Sequence, residues 1–187
     1  METLTRWAGY LAMTGGALVA VLALIVAYDP ETGAWFAFFL VVALLGGAVL
    51  GFQKRTAGST GRLGRGSAWL STIGAVGLLA LFGYAEATNG LSGNYSAASD
   101  PLTPFWIVTA LAWFIGNIGF AVALIRAKVL SSIGAWLVLA GALVGAVVSA
   151  VLGENLPSAA YLLFGLFGIG WMVIGFGALR PRPGTSS

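Results

Sequence analysis

The sequence predicts an all-α protein, a polytopic bundle of six transmembrane helices with both chain ends on one side of the bilayer. Three observations carry that prediction: an apolar excess too large for a soluble core, six apolar runs of similar length, and charge segregated between alternate connections. Of 187 residues, 59% are hydrophobic and 8% charged, against about 25% charged in an ordinary soluble domain. With a mean hydropathy of +0.95, a bilayer must serve as solvent for most of these side chains.

The apolar runs fall at 7–28, 34–52, 68–86, 104–125, 130–152 and 158–179. Each is long enough to cross a hydrocarbon core of about 30 Å as a helix rising about 1.5 Å per residue. They are continuous, whereas the strands of an outer-membrane barrel alternate with period two. The first run exceeds the apolar stretch of about 7–15 residues in a secretory signal, and no small-residue cleavage pattern precedes Asp29. It is expected to be a retained helix. Residues 1–180 then form one membrane domain, and "PRPGTSS" (181–187) a disordered cytoplasmic tail.

The connections sort by charge. Arg6, then Lys54, Arg55, Arg62 and Arg65, then Arg126 and Lys128, then Arg180 and Arg182 lie at the termini and in alternate connections. Asp29, Glu31, Glu86, Asp100 and Glu154 occupy the others, with Glu2 the one acid among the bases. Lysine and arginine stay on the cytoplasmic side, so the bias places both termini and the 53–67 connection in the cytoplasm of a prokaryotic cell, with the chain in its inner membrane. The aromatic residues agree: Trp7, Tyr10, Trp69 and Trp136 lie near inner ends, Tyr28, Trp35, Tyr84, Trp106 and Tyr161 near outer ends, the depths of interfacial belts. Trp113 and Trp171 are too deep for a belt.

The inventory excludes several chemistries. There is no cysteine and no histidine, which removes thiol chemistry, Cys/His metal sites and imidazole acid–base catalysis. No Asp, Glu, Lys or Arg lies inside any apolar run, Glu86 closing the third at its outer edge, so proton relays through buried ionisable groups have no residues to run on. Thr14, Ser71, Thr72, Thr109 and Ser149 have no general base in their own helices. No enzyme activity, cofactor or metal is expected. The net charge of +3 is scattered over helix ends without an aromatic–basic module, so no nucleic-acid partner is expected.

The inner connection "QKRTAGSTGRLGRGS" (53–67) reads as a mobile loop. Its four bases, Lys54, Arg55, Arg62 and Arg65, either fix topology or hold anionic lipid headgroups at about 1 kcal/mol each. The outer connection 87–103 is polar and turn-rich. Its Asn94-Tyr95-Ser96 matches the glycosylation pattern, a chance match in a prokaryotic chain.

Three helix starts share a pattern: "GYLAMTGG" (9–16), "AWLSTIGA" (68–75) and "AWLVLAGA" (135–142). They suggest three consecutive helical hairpins inserted the same way, related by an axis along the membrane normal. In this layout, with Gly15 to Pro30 in the first hairpin and Gly141 to Pro157 in the third, the chain resembles the HdeD-like family of small acid-resistance membrane proteins. The second hairpin departs, having no proline before Pro101. The resemblance implies a six-helix chain of three hairpins, a stress-related role and no known catalytic residues.

Two patterns nominate contact residues. In the fifth run, Gly141, Gly145, Ser149 and Gly153 recur every fourth residue, a small-residue ridge for close helix packing within the chain or against another subunit. In the fourth run, Trp106, Thr109, Trp113, Asn117 and Ala121 share one helical face, which should point into the bundle. On one reading Asn117 bonds a neighbouring helix and the indoles pack on glycines such as Gly168 or Gly170. On the other, this face lines an outward-opening pocket for a small apolar or amphipathic molecule, with Trp171 and Met172 opposite. The functional expectation is a non-catalytic membrane protein acting through lipids, other membrane subunits or a second copy. The alternative is a small-molecule binding or uptake component.

Overall fold

A computed structural model describes residues 2–29, 35–89, 101–152 and 158–179. The helices are α1 (Glu2–Tyr28), α2 (Trp35–Asn89), α3 (Thr103–Ala127), α4 (Ser132–Leu152) and α5 (Ser158–Leu179). Non-helical backbone at Gly61 breaks α2 into two limbs, 35–60 and 62–89, so the chain has six helical rods. Five stretches are long and apolar enough to cross a membrane: Thr3–Tyr28, Ala37–Thr56, Gly58–Thr88, Thr103–Ala127 and Leu162–Leu179. In α4 the apolar stretch among the described residues is the shorter Ser132–Val144.

The expected mobile loop at 53–67 is corrected: it is helical on both sides of one reversal. Gly61 has φ 62° and ψ −153°, a region that essentially only glycine enters. That single residue turns the chain, and the limbs pack antiparallel from there, with Gly46 facing Ala75 and the Phe38 and Phe82 rings 5.8 Å apart. The Ser, Thr and Gly residues that read as loop are absorbed by the helices. The Thr56 hydroxyl donates to the Phe52 carbonyl at 2.9 Å and Thr60 to the Thr56 carbonyl at 2.9 Å, so polar side chains are satisfied by the turn before them. Helix α2 also runs on to Asn89, three residues into the expected outer loop. Asn94, Tyr95 and Ser96, and the tail 181–187, lie outside the described residues.

Consecutive rods pack antiparallel, and the last closes on the first. Gly51 of α2 lies on Ala8 of α1, and Gly15 of α1 on Leu45 of α2. Gly74, Gly116 and Gly119 join the second limb to α3 through Thr109, Trp113, Ser71 and Ser67. A tight turn leads from α3 into α4. Lys128 adopts left-handed backbone and its N–H bonds the Leu124 carbonyl, while Ser131 Oγ accepts from the Gly134 N–H at 3.3 Å. Gly134 and Gly141 of α4 then meet Gly170 and Phe167 of α5, and Gly168 and Gly175 of α5 meet Gly16 and Gly9 of α1. The result is a closed ring of rods.

Two of these seams use glycines spaced seven residues apart: Gly9 and Gly16 with Gly168 and Gly175 between α1 and α5, and Gly134 and Gly141 between α4 and α5. Seven-residue spacing keeps a small residue on the same seam of a left-handed helix pair. Small residues let backbones approach and gain dispersion contacts that lipid tails cannot match. A Cβ at Gly16 would run into the Gly168 carbonyl. The outward faces stay apolar, with Leu24, Ile73, Val108, Ile115, Ile133 and Phe176 exposed. A soluble monomer does not present apolar surface on this scale; a lipid-facing one must.

The antiparallel order also sorts the charges. Among described residues, Arg6, Lys54, Arg55, Arg62, Arg65, Arg126 and Lys128 fall at one end of the ring, Asp29 and Glu86 at the other. Trp7, Tyr10, Tyr28, Trp69, Tyr84 and Trp136 are all exposed near rod ends, as interfacial rings are.

Candidate functional site

The most polar part of the interior lies on α3, between its two tryptophans and its last turns. Trp113, Asn117, Phe120 and Ala121 recur at helical spacing and are buried. Asn117 is fully buried, and its amide nitrogen donates twice: to Ser71 Oγ at 3.1 Å and to the Trp113 carbonyl at 2.7 Å. The first bond crosses to the second limb of α2, where Ser71 is itself fully buried. It forms where Gly116 lets the α3 backbone lie on Ser71, since a Cβ there would overlap the Ser71 backbone. The neighbouring bond returns to the preceding turn of α3.

The indoles are held by rings. Trp113 meets Phe38 at 6.2 Å, Phe114 at 5.1 Å and Phe167 at 6.0 Å, all edge-on. Trp171 stacks on Phe120 at 6.5 Å and meets Phe167 at 6.4 Å. Aromatic pairs at these separations add about 0.5–1.5 kcal/mol each beyond area burial. The expectation that the indoles would pack on Gly168 or Gly170 is therefore corrected: Gly168 packs against α1, and Gly170 against α4. Those glycines serve helix seams, leaving phenylalanines to fill the wider space between non-adjacent rods. Indeed, among the described residues no Cα of α3 comes within 8 Å of a Cα of α5. The large side chains bridge that distance across the ring.

Of the ligand candidates, Trp113, Asn117 and Trp171 belong to one cluster. Trp106 and Thr109 are half-buried, and Trp106 reaches Trp113 through Phe82 and Phe38. Trp106 packs edge-on against Phe82 at 5.0 Å. The Thr109 hydroxyl donates to the Phe105 carbonyl at 2.7 Å, and its methyl lies against Gly77. Met172 packs toward Gly16 of α1.

Among the ridge residues, Gly141 packs inside the chain against Phe167. The surroundings of Gly145 and Ser149, and Gly153 itself, lie outside the described residues. Of the four bases near the hairpin tip, Lys54, Arg62 and Arg65 are exposed. Arg55 is half-buried, and its Nη1 donates to the Ala178 carbonyl at 3.0 Å, tying the hairpin to the last turn of α5. A basic side chain on terminal helix carbonyls is a common C-terminal cap.

Sequence reading missed Ser71 as the partner of Asn117 and missed the paired glycine heptads. The heptads were visible as spacings; Ser71 was one of several equivalent hydroxyls. Among described residues the buried polar side chains are Thr56, Ser67, Ser71 and Asn117, none of them ionisable. Three buried polar atoms find no hydrogen-bond partner among the described residues: Asn117 Oδ1, Trp113 Nε1 and Trp171 Nε1. Compared with known protein families, curated proteins and solved structures, the chain has no significant match.

Proposed function

We propose that the chain is a non-catalytic, multi-pass protein of a prokaryotic cytoplasmic membrane, crossing six times with both termini in the cytoplasm. It acts through contacts with lipids and with other membrane helices, as an accessory, assembly or stress-related subunit. The observation that carries this reading is the pairing of an uncharged, ring-packed interior with apolar outer faces on every rod. Such an interior offers no acid, base or ion path, whereas the outer faces offer contact surface. A stress-related role is also what the HdeD-like layout implies. Cross-linking in membranes followed by native mass measurement in mild detergent tests the reading. The expected result is a second copy or another membrane protein retained with the chain; a strictly monomeric, partnerless particle contradicts it.

A second reading, a small-molecule binding or uptake component, is favoured by the unpartnered polar atoms of Trp113, Asn117 and Trp171. Mass analysis of molecules carried through purification tests it. Asn117→Leu should abolish the retention of any such molecule, and unchanged retention in a folded variant rejects it.

A further inference from the structure

The three unpartnered atoms have a chemical complement. An indole carries one donor and no acceptor, and a carboxamide oxygen only accepts. Asn117 uses both hydrogens of its amide nitrogen on Ser71 and on the Trp113 carbonyl, leaving Oδ1 as a free acceptor. Trp113 and Trp171 are 2% and 1% exposed, and Asn117 is 0% exposed, so neither bulk water nor a lipid headgroup reaches them. Each buried polar group left unsatisfied costs about 1–3 kcal/mol.

The two indoles share one aromatic cluster, Phe167 touching both, and Asn117 adjoins it through its bond to the Trp113 carbonyl, one turn from Phe120, which stacks on Trp171. That cluster spans the ring between α3 and α5, whose backbones stay apart. Two donors and one acceptor match a hydroxyl, whose oxygen accepts two N–H bonds while its hydrogen is donated to the amide oxygen. An ion would pay the desolvation penalty of a site with no counter-charge, and an apolar occupant would leave all three groups unmet.

We propose that the axis of the ring is a seat for one small, uncharged hydroxylic molecule, water or a short polyol, held by Asn117 Oδ1 and the indole N–H groups of Trp113 and Trp171. It starts from the same unpartnered atoms as the small-molecule reading, goes beyond it, and makes the occupant hydroxylic where that reading has an apolar or amphipathic one. Interior waters of this kind make about three hydrogen bonds to otherwise unmet groups.

Indole-¹⁵N-labelled protein in detergent micelles gives seven tryptophan signals, assigned by Trp113→Phe and Trp171→Phe. With water as the probe, magnetisation transfer from long-lived water protons is expected at both the Trp113 and Trp171 indoles. Asn117→Leu should remove both transfers and leave Trp7, Trp69 and Trp136 unchanged. If the seat takes a polyol, added glycerol replaces the water transfer with transfer from its own protons. A folded wild-type protein, judged by dispersion of the other indole signals, that shows transfer at neither or only one of the two indoles overturns the proposal, whatever the variants do. The two ideas also separate. A larger molecule retained through purification without these transfers keeps the small-molecule reading and rejects the seat, while transfer from water with no retained solute does the reverse.

Discussion

At the scale of single residues, an amide is tolerated in the buried interior because its nitrogen has two acceptors waiting. Asn117 bonds a hydroxyl on one neighbour and a carbonyl of its own helix. Interhelical polar bonds in membranes contribute about 0.6–1.7 kcal/mol, so Ser71→Ala should lower the unfolding free energy in mixed micelles by about that amount. No change would mean that the hydroxyl does not hold the amide. The inward direction of the Asn117 face was legible, because two indoles, a hydroxyl and an amide at helical spacing do not suit lipid. Its partner was not: Ser71 lies 46 residues away, and which hydroxyl meets Asn117 depends on the rotation and register of the second limb. Nor was the aromatic packing of Trp113 and Trp171 legible, since glycines and phenylalanines were equally available and only the ring geometry assigns them.

At the scale of elements, close approach and chain reversal each rest on particular glycines. Gly16→Ala places a methyl group against the Gly168 carbonyl and should cost about 1–3 kcal/mol by forcing α1 from α5. Gly165→Ala is the control, because its Cβ would sit 3.7 Å from Ala23 Cβ, an ordinary contact. Alanine is the better helix former by up to about 1 kcal/mol, so that variant should be neutral or stabilising. Equal destabilisation of both would contradict the seam.

The reversal gives a second test within α2. Gly61→Ala should cost about 1–3 kcal/mol because of its backbone conformation, whereas Gly58→Ala meets nothing within 4 Å and should be harmless. Both are read by equilibrium unfolding. The apolar runs located the rods to within a few residues at most ends. The segment 53–67 misled because glycine, serine and threonine signal loops in water. Where a hydroxyl can bond the carbonyl four residues back, and where Ser67 and Ala68 are buried, the helix simply continues.

At the scale of the whole molecule, the rods alternate in direction, so among the described residues the Lys and Arg residues fall at one end of the ring, joined by Glu2, with Asp29 and Glu86 at the other. This arrangement was legible from charge alone, because the bias is a property of connections and not of packing. The closure of α5 on α1 was not legible as such, although the glycine heptads that make the seam were present in both segments. A protein so arranged exposes apolar side chains on all six rods and buries only a few polar ones among its described residues.

The central claim, an uncharged bundle threading the bilayer six times with both ends in the cytoplasm, has a direct test in a chain without cysteine. Single cysteines at Gly58, Ser132, Thr88 and Ser158 would be probed in intact cells with a membrane-impermeant maleimide. Thr88→Cys and Ser158→Cys should be labelled from outside, and Gly58→Cys and Ser132→Cys only after the membrane is opened. Labelling of either of the latter two in intact cells, or protection of either of the former in a folded variant, would contradict the six-span topology.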